Sequence, residues 1–203
     1  MLTVAHAIEE FYEVAVRGKK SQSGNRLQVL GDFCVQELAV RGMLGALTEQ
    51  EVPGGGRQKN WDVAWKYDGK FRLAISLKSI LKNLPGTVPN RVDDLMGEVA
   101  NAQLHSPEIV IGYIMLIDVS QDSHSPKHQS TWAGVLRTRL GRLSSRKPPN
   151  WTIGTFEAHV VAEVDFSGSP KLLSDPEEFN VFFDTLAEQV RNRNPNALPP
   201  LMI

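Results

Sequence analysis

WDVAWKYDGKFRLAISLK, Trp61 to Lys78, is the stretch whose reading decides the fold. Asp68-Gly69 sits between two alternating segments, a strong short-range hairpin signal. Ahead of it Trp61, Val63, Trp65 and Tyr67 alternate with Asp62, Ala64 and Lys66. After it Phe71, Leu73, Ile75 and Leu77 alternate with Arg72, Ala74, Ser76 and Lys78. Both strands therefore put odd-numbered residues on an apolar face and even-numbered ones on the other. Loop length decides which faces coincide. A two-residue turn would set Tyr67 opposite Lys70 and Asp62 opposite Ile75, mixing the faces. A three-residue loop with a glycine bulge restores odd opposite odd. The apolar pattern predicts the bulged loop, and with it Asp62, Ser76 and Lys78 together on the less apolar face.

That grouping has a chemical meaning. An aspartate beside a lysine on adjacent strands can hold a divalent cation while the lysine steadies a water or a phosphate. The same alternation also belongs to any half-buried sheet with a polar outer face.

Composition bounds the alternatives. The 203 residues suffice for one compact domain with an appended helix layer. We expect a single domain over 1–193, with a helical part at 1–56 and a core at 57–119, then a flexible tail at 194–203. Lys plus Arg number 22 and Asp plus Glu 23, so there is no global basic excess. A lone cysteine, Cys34, excludes an internal disulfide and a cysteine-based metal cluster. No segment approaches the length of a membrane span, and the start MLTVAHAIEEFYEVAV is acidic and lacks a cleavage-site pattern. The expectation is a soluble cytoplasmic protein with no membrane partner. Local charge says more than the total. Between Ser123 and Phe156 there is no Asp or Glu, while Lys127, Arg137, Arg139, Arg142, Arg146 and Lys147 all lie there. From Glu157 through Glu188 the chain is acid-rich instead. This asymmetry suits a DNA-facing edge, and equally a solvated basic helix.

Taken in order, Val4 to Val16 and Leu27 to Arg41 read as amphipathic helices. Glu37 borders the apolar stripe of the second, where it can reach toward a site or stay solvated. Pro53-Gly54-Gly55-Gly56 reads as a flexible lead-in to the hairpin. It is not a phosphate-binding loop, because no Gly-Lys-Ser/Thr closes it and a strand follows. Beyond Lys78, Asn90 is the expected N-cap of a helix. Val92, Leu95, Met96 and Val99 form that helix's apolar stripe. Arg91, Asp94, Glu98 and Asn101 share another face, which can lie beside Ser76 or merely pair on the surface. Ile109 to Val119 is a continuous apolar run expected to be a buried central strand, reached by a right-handed crossover. Gln121 to Ser130 reads as a polar loop whose His124 and His128 have no supporting carboxylate for metal binding. A basic helix over Thr131 to Ser144, a strand over Phe156 to Phe166 and a closing helix over Pro176 to Arg191 complete the core. Asn194 to Ile203, with three prolines, is the expected loose tail.

Asp62, a hairpin, Ser76-Leu77-Lys78, a helix and a buried strand together resemble the PD-(D/E)xK nuclease superfamily. More narrowly, AISLKS followed by PNRVDDLMG is similar to the restriction endonucleases that cut CTCGAG. There a Glu-x-Lys-Ser segment precedes an Asn-Arg-x-acid-acid-x-x-Gly helix start, matched here by Asn90, Arg91, Asp93, Asp94 and Gly97. The resemblance spans roughly Arg57 to Val119. It implies an α/β restriction-endonuclease-like core, a central mixed sheet flanked by helices, and Mg²⁺-dependent hydrolysis of double-stranded DNA. Asp62 would bridge the metal, the Leu77 carbonyl would be a further ligand, and Lys78 would orient the water. Asn90 and Arg91, with Arg137, Arg139 and Arg142 of the basic helix, would face DNA. A homodimer and a cognate methyltransferase are the implied partners. The departure is Ser76, where the family has an acid, since a hydroxyl replaces a carboxylate poorly on Mg²⁺. Either Asp94 or Glu98 of the following helix, where Asp93 is a third acid, fills the gap, or the fold is a catalytically inactive DNA-binding or regulatory protein. A plain interaction domain whose basic stretch meets an acidic protein is the third reading.

Overall fold

The hairpin forms, but its irregularity sits elsewhere than in the loop. β2 (Lys59–Tyr67) and β3 (Lys70–Ile80) pair antiparallel with Tyr67 opposite Lys70. Asp68 and Gly69 both take positive φ, 51° and 71°. This is the mirror-image two-residue turn whose twist suits a hairpin. The register then shifts between Trp65 and Lys66, so that Trp65 faces Leu73 and Val63 faces Ile75. Odd meets odd, as the apolar pattern requires. The predicted bulged loop is replaced by a tight turn plus a bulge at Arg72, whose guanidinium is tied to Glu108 at 2.9 Å. Asp and Gly both tolerate the left-handed region, so the shortest turn was open to the chain.

The alternation breaks once more, at Asp62. β1 (Leu47–Val52), a strand the sequence reading missed, pairs antiparallel with β2 and sets Thr48 against Val63 and Gln50 against Trp61. Between those pairs Glu49 lies across from Asp62 with φ 52°. Beyond the break Trp61 changes sides. It packs in a different apolar cluster from Val63 and Trp65, contrary to the single odd-numbered face expected.

The computed structural model describes residues 1–19, 24–144, 146–149 and 151–198. Among these, six strands form one mixed sheet in the order β1-β2-β3-β4-β7-β8. β4 (Val110–Asp118), buried throughout, runs parallel to β3, and β7 (Ala158–Asp165) runs parallel to β4. β8 (Lys171–Leu172) closes that side antiparallel. The polar stretch after β4 forms a small ribbon of β5 (His124–Ser125) and β6 (Ser130–Thr131). α1 (Val4–Phe11), α2 (Gln28–Val40) and α5 (Glu177–Arg193) cover the face of Val63, Trp65, Leu73, Ile75 and Leu77. α3 (Leu84–His105) and α4 (Trp132–Leu143) cover the face of Ala64, Ala74, Tyr113 and Met115. The chain is thus α/β, a mixed central sheet between helical layers. No described helix is long and apolar enough to cross a membrane.

Three expectations change. α3 starts at Leu84 rather than after Asn90, because Pro85 fits a first helical turn that needs no N–H. Pro89 is then carried inside the helix, and Asn90 is an exposed mid-helix residue. The glycine lead-in is clamped to α3. Gly55 N–H donates to the Asn101 carbonyl at 2.8 Å, Gly56 N–H to its Oδ1 at 2.9 Å, and Asn101 Nδ2 returns a bond to the Arg57 carbonyl at 2.9 Å. The start of the tail is also docked, with Leu198 buried and the Tyr67 hydroxyl donating to the Asn196 carbonyl at 2.8 Å. Residues 199–203 of the expected tail lie outside the described residues.

Candidate active site

The break in β2 is what frees a carboxylate to point along the sheet. Asp62 Oδ2 accepts the Leu77 backbone N–H at 2.7 Å and a bond from Lys78 Nζ at 3.3 Å. A side chain thus does here what a neighbouring backbone carbonyl does elsewhere in the ladder. In an extended strand a residue's N–H and C=O leave on the same side. The Leu77 carbonyl therefore faces the edge that carries Asp62. Both side chains are about three-quarters buried, Asp62 at 24 % and Lys78 at 21 % exposure.

Ser76, buried on the face of β3 that α3 covers, donates to Glu98 Oε2 at 3.3 Å. Glu98 comes from the middle of α3 and also contacts Lys59 Nζ, at the start of β2. Helix and strand thus bring a carboxylate to the position where an acid at residue 76 would reach. Asp94, one turn earlier, is exposed and paired with Arg91 at 3.4 Å. Asp93 is exposed as well. Asp93, Asp94, Gly97 and Glu98 line a pocket of about 540 Å³ with Arg57 and Lys59. Tyr113, opposite Ser76 on β4, senses the whole group. Burial first, then the charges of Glu98, Asp62 and Asp94, push its phenol far above the ordinary tyrosine range, with Arg91 opposing.

The oxygens available to a divalent cation are the carboxylates of Asp62 and Glu98 and the carbonyl of Leu77. Among the described residues no group of three or more His, Cys, Asp or Glu side chains could hold a metal ion. The two-carboxylate set still suits Mg²⁺, which keeps several waters and takes only one or two protein carboxylates. In this arrangement each carboxylate already has a lysine against it.

The basic helix commits one of its arginines to the protein itself. Arg137 uses all five guanidinium N–H groups inside the protein. Nε donates to Glu163 at 2.6 Å, Nη1 to both oxygens of Glu178, and Nη2 to the Val161 carbonyl and Ser174 Oγ. Burial opposes its charge, but the bonds to Glu163 and Glu178 outweigh it and raise its pKa. It ties α4 to β7 and α5. Arg142 is exposed and Arg139 half-buried. Glu37 neither reaches the site nor stays solvated, being closed onto Arg41 at 2.7 Å.

No family model, curated protein or solved structure matches this chain. The reading of the site therefore stands on its own geometry. Sequence reasoning missed Lys59 because parity counting put it on the opposite face. The signal was the lysine three residues before Asp62, and it becomes legible only once the break at Asp62 is known.

Proposed function

We propose that the chain is a Mg²⁺-dependent endonuclease that hydrolyses phosphodiester bonds of double-stranded DNA. The observation that supports this reading is the contact of Glu98, an acid borne by α3, with Ser76, two residues before Lys78 of the Asp62–Lys78 pair. Asp62, Glu98 and the Leu77 carbonyl would hold the metal. Mg²⁺ bound there supplies a Lewis acid and a water of lowered pKa. The Leu77 N–H fixes Asp62, the Ser76 hydroxyl fixes Glu98, and the Lys78 ammonium stabilises charge developing on the phosphoryl oxygens. On this reading a two-fold-symmetric DNA site is met by two copies of the chain, and a methyltransferase of the same system shields it.

The test is nicking of supercoiled plasmid with and without Mg²⁺. Asp62→Asn, Lys78→Ala and Glu98→Gln should each lower the rate by roughly 100-fold or more, with folding checked by circular dichroism. Cleavage at the unsubstituted rate in any of the three ends the assignment. A second reading, a DNA binder that does not cut, is favoured by one feature. Lys78 and Lys59 already neutralise both carboxylates. It predicts salt-sensitive duplex binding with no cleavage in Mg²⁺ or Mn²⁺.

A further inference from the structure

Beside the Asp62–Lys78 pair, where β3 runs out, lies a second concavity of about 430 Å³. Arg26, Ser79, Lys82, Thr87 and Arg91 line it, and among the described residues no carboxylate does. Its donors come from three separate elements. Arg26 belongs to the short turn Gly24–Leu27 ahead of α2, Ser79 and Lys82 to the end of β3 and the loop after it, and Thr87 and Arg91 to the first turns of α3. Arg26 Nε reaches Ser79 Oγ at 3.4 Å. Arg91 pairs outward with Asp94, while its Nε is buried with no hydrogen-bond partner. Two guanidiniums and an ammonium converge on one hollow beside two hydroxyl-bearing residues.

We propose that this hollow is a phosphate site, and that the phosphate it takes is a backbone phosphodiester of the DNA strand next to the one at Asp62 and Lys78. Like charges gathered this closely repel. Burial and the nearby Arg91 both lower the pKa of Arg26, against the pull of Asp62. An oxyanion seated between the cations relieves that repulsion. Position argues for a strand rather than a free anion. Ser79 follows Lys78 directly, so a phosphate held in the hollow lies one step along the chain from the Asp62–Lys78 pair. The choice of DNA rests on the endonuclease reading, whereas the hollow's preference for phosphate does not.

The experiment is fluorescence anisotropy of a labelled duplex with the full chain, without divalent cations, across a range of KCl. Arg26→Gln and Lys82→Ala should each weaken binding several-fold. Each should also flatten the slope of log affinity against log salt by about one. Lys82 is exposed and Lys171 lies on distant β8, so Lys82→Ala tests the idea without risk to the fold, and Lys171→Ala is the control. Wild-type affinity and slope in both pocket variants overturn the proposal. Inorganic phosphate binding lost in Arg26→Gln, with duplex affinity unchanged, overturns the strand assignment in favour of a free phosphate. Pocket-dependent duplex binding by a wild type that never nicks plasmid supports the phosphate site while removing the endonuclease reading.

Discussion

If the endonuclease reading holds, Lys59 sets how readily a cation enters. Its ammonium contacts Glu98, and both side chains are mostly buried, at 22 % and 12 % exposure. A divalent ion must displace that lysine from the carboxylate and tolerate the positive charge left nearby. Lys59→Gln should therefore tighten Mn²⁺ binding several-fold, read by electron paramagnetic resonance on the protein without DNA. Weaker or unchanged binding would show that Lys59 helps to build the site instead of competing for it. At this scale much was legible. Period-two alternation put Ser76 and Lys78 on one face of β3, and three-to-four spacing put Asp94 and Glu98 on one side of a helix, whereas Asp62 meets Lys78 through the break in β2 and not through parity. Sequence could not choose between those two acids. The choice depends on depth: Glu98 faces Ser76 while Asp94, one turn nearer the helix start, stays at the rim with Arg91. Arg26 was also out of reach, since it arrives at Ser79 from 53 residues away.

Elements are held in place by side chains borrowed from their neighbours. Asn101 of α3 does this for the segment that launches β2, through its bonds to Gly56, Arg57 and the Arg57 carbonyl. A methyl group on Gly54 would run into the Asn101 amide and approach the Arg57 carbonyl to 2.5 Å, so the contact admits no side chain there. Asn101→Ala should cost about 0.5–1.5 kcal/mol by removing these bonds, measured by urea denaturation, and Lys59, two residues after Arg57, should lose its fixed approach to Glu98. An unchanged unfolding midpoint would show that the glycines hold the segment unaided. Glycine composition suggested flexibility here because it reports what a chain can do in isolation, not what docks on it. The helix start was misplaced for a related reason. Asn90 has the chemistry of a cap, yet Pro85, five residues earlier, supplies a competing start at the second position of the element.

Across the molecule, the two faces of the sheet are tied together at one buried ionic knot. The Glu157 carboxylate accepts the Ile111 N–H at 2.6 Å, Arg193 Nη2 at 2.6 Å and Arg146 Nη1 at 3.4 Å, joining β4, α5 and the segment after α4. None of the three side chains is more than 5 % exposed. Glu157→Gln leaves two buried guanidiniums without their counter-charge and should lower stability by about 3–5 kcal/mol, read as a fall in the denaturant midpoint. A shift under 1 kcal/mol would mean that the arginines find other partners. The α/β class and the central place of Ile109 to Val119 could be read from apolar runs, because burial on both faces leaves no polar alternation. β1 could not: LTEQEV is polar at most positions and gains its strand character only by pairing with β2. That strand has a further consequence. It forms one margin of the sheet, and the left-handed residue at Glu49 kinks it beside the acidic Glu51. A margin bent and charged in this way resists adding a foreign strand. Pairing of two copies along that margin is disfavoured, and the sheet is guarded against growing into a fibre from that side.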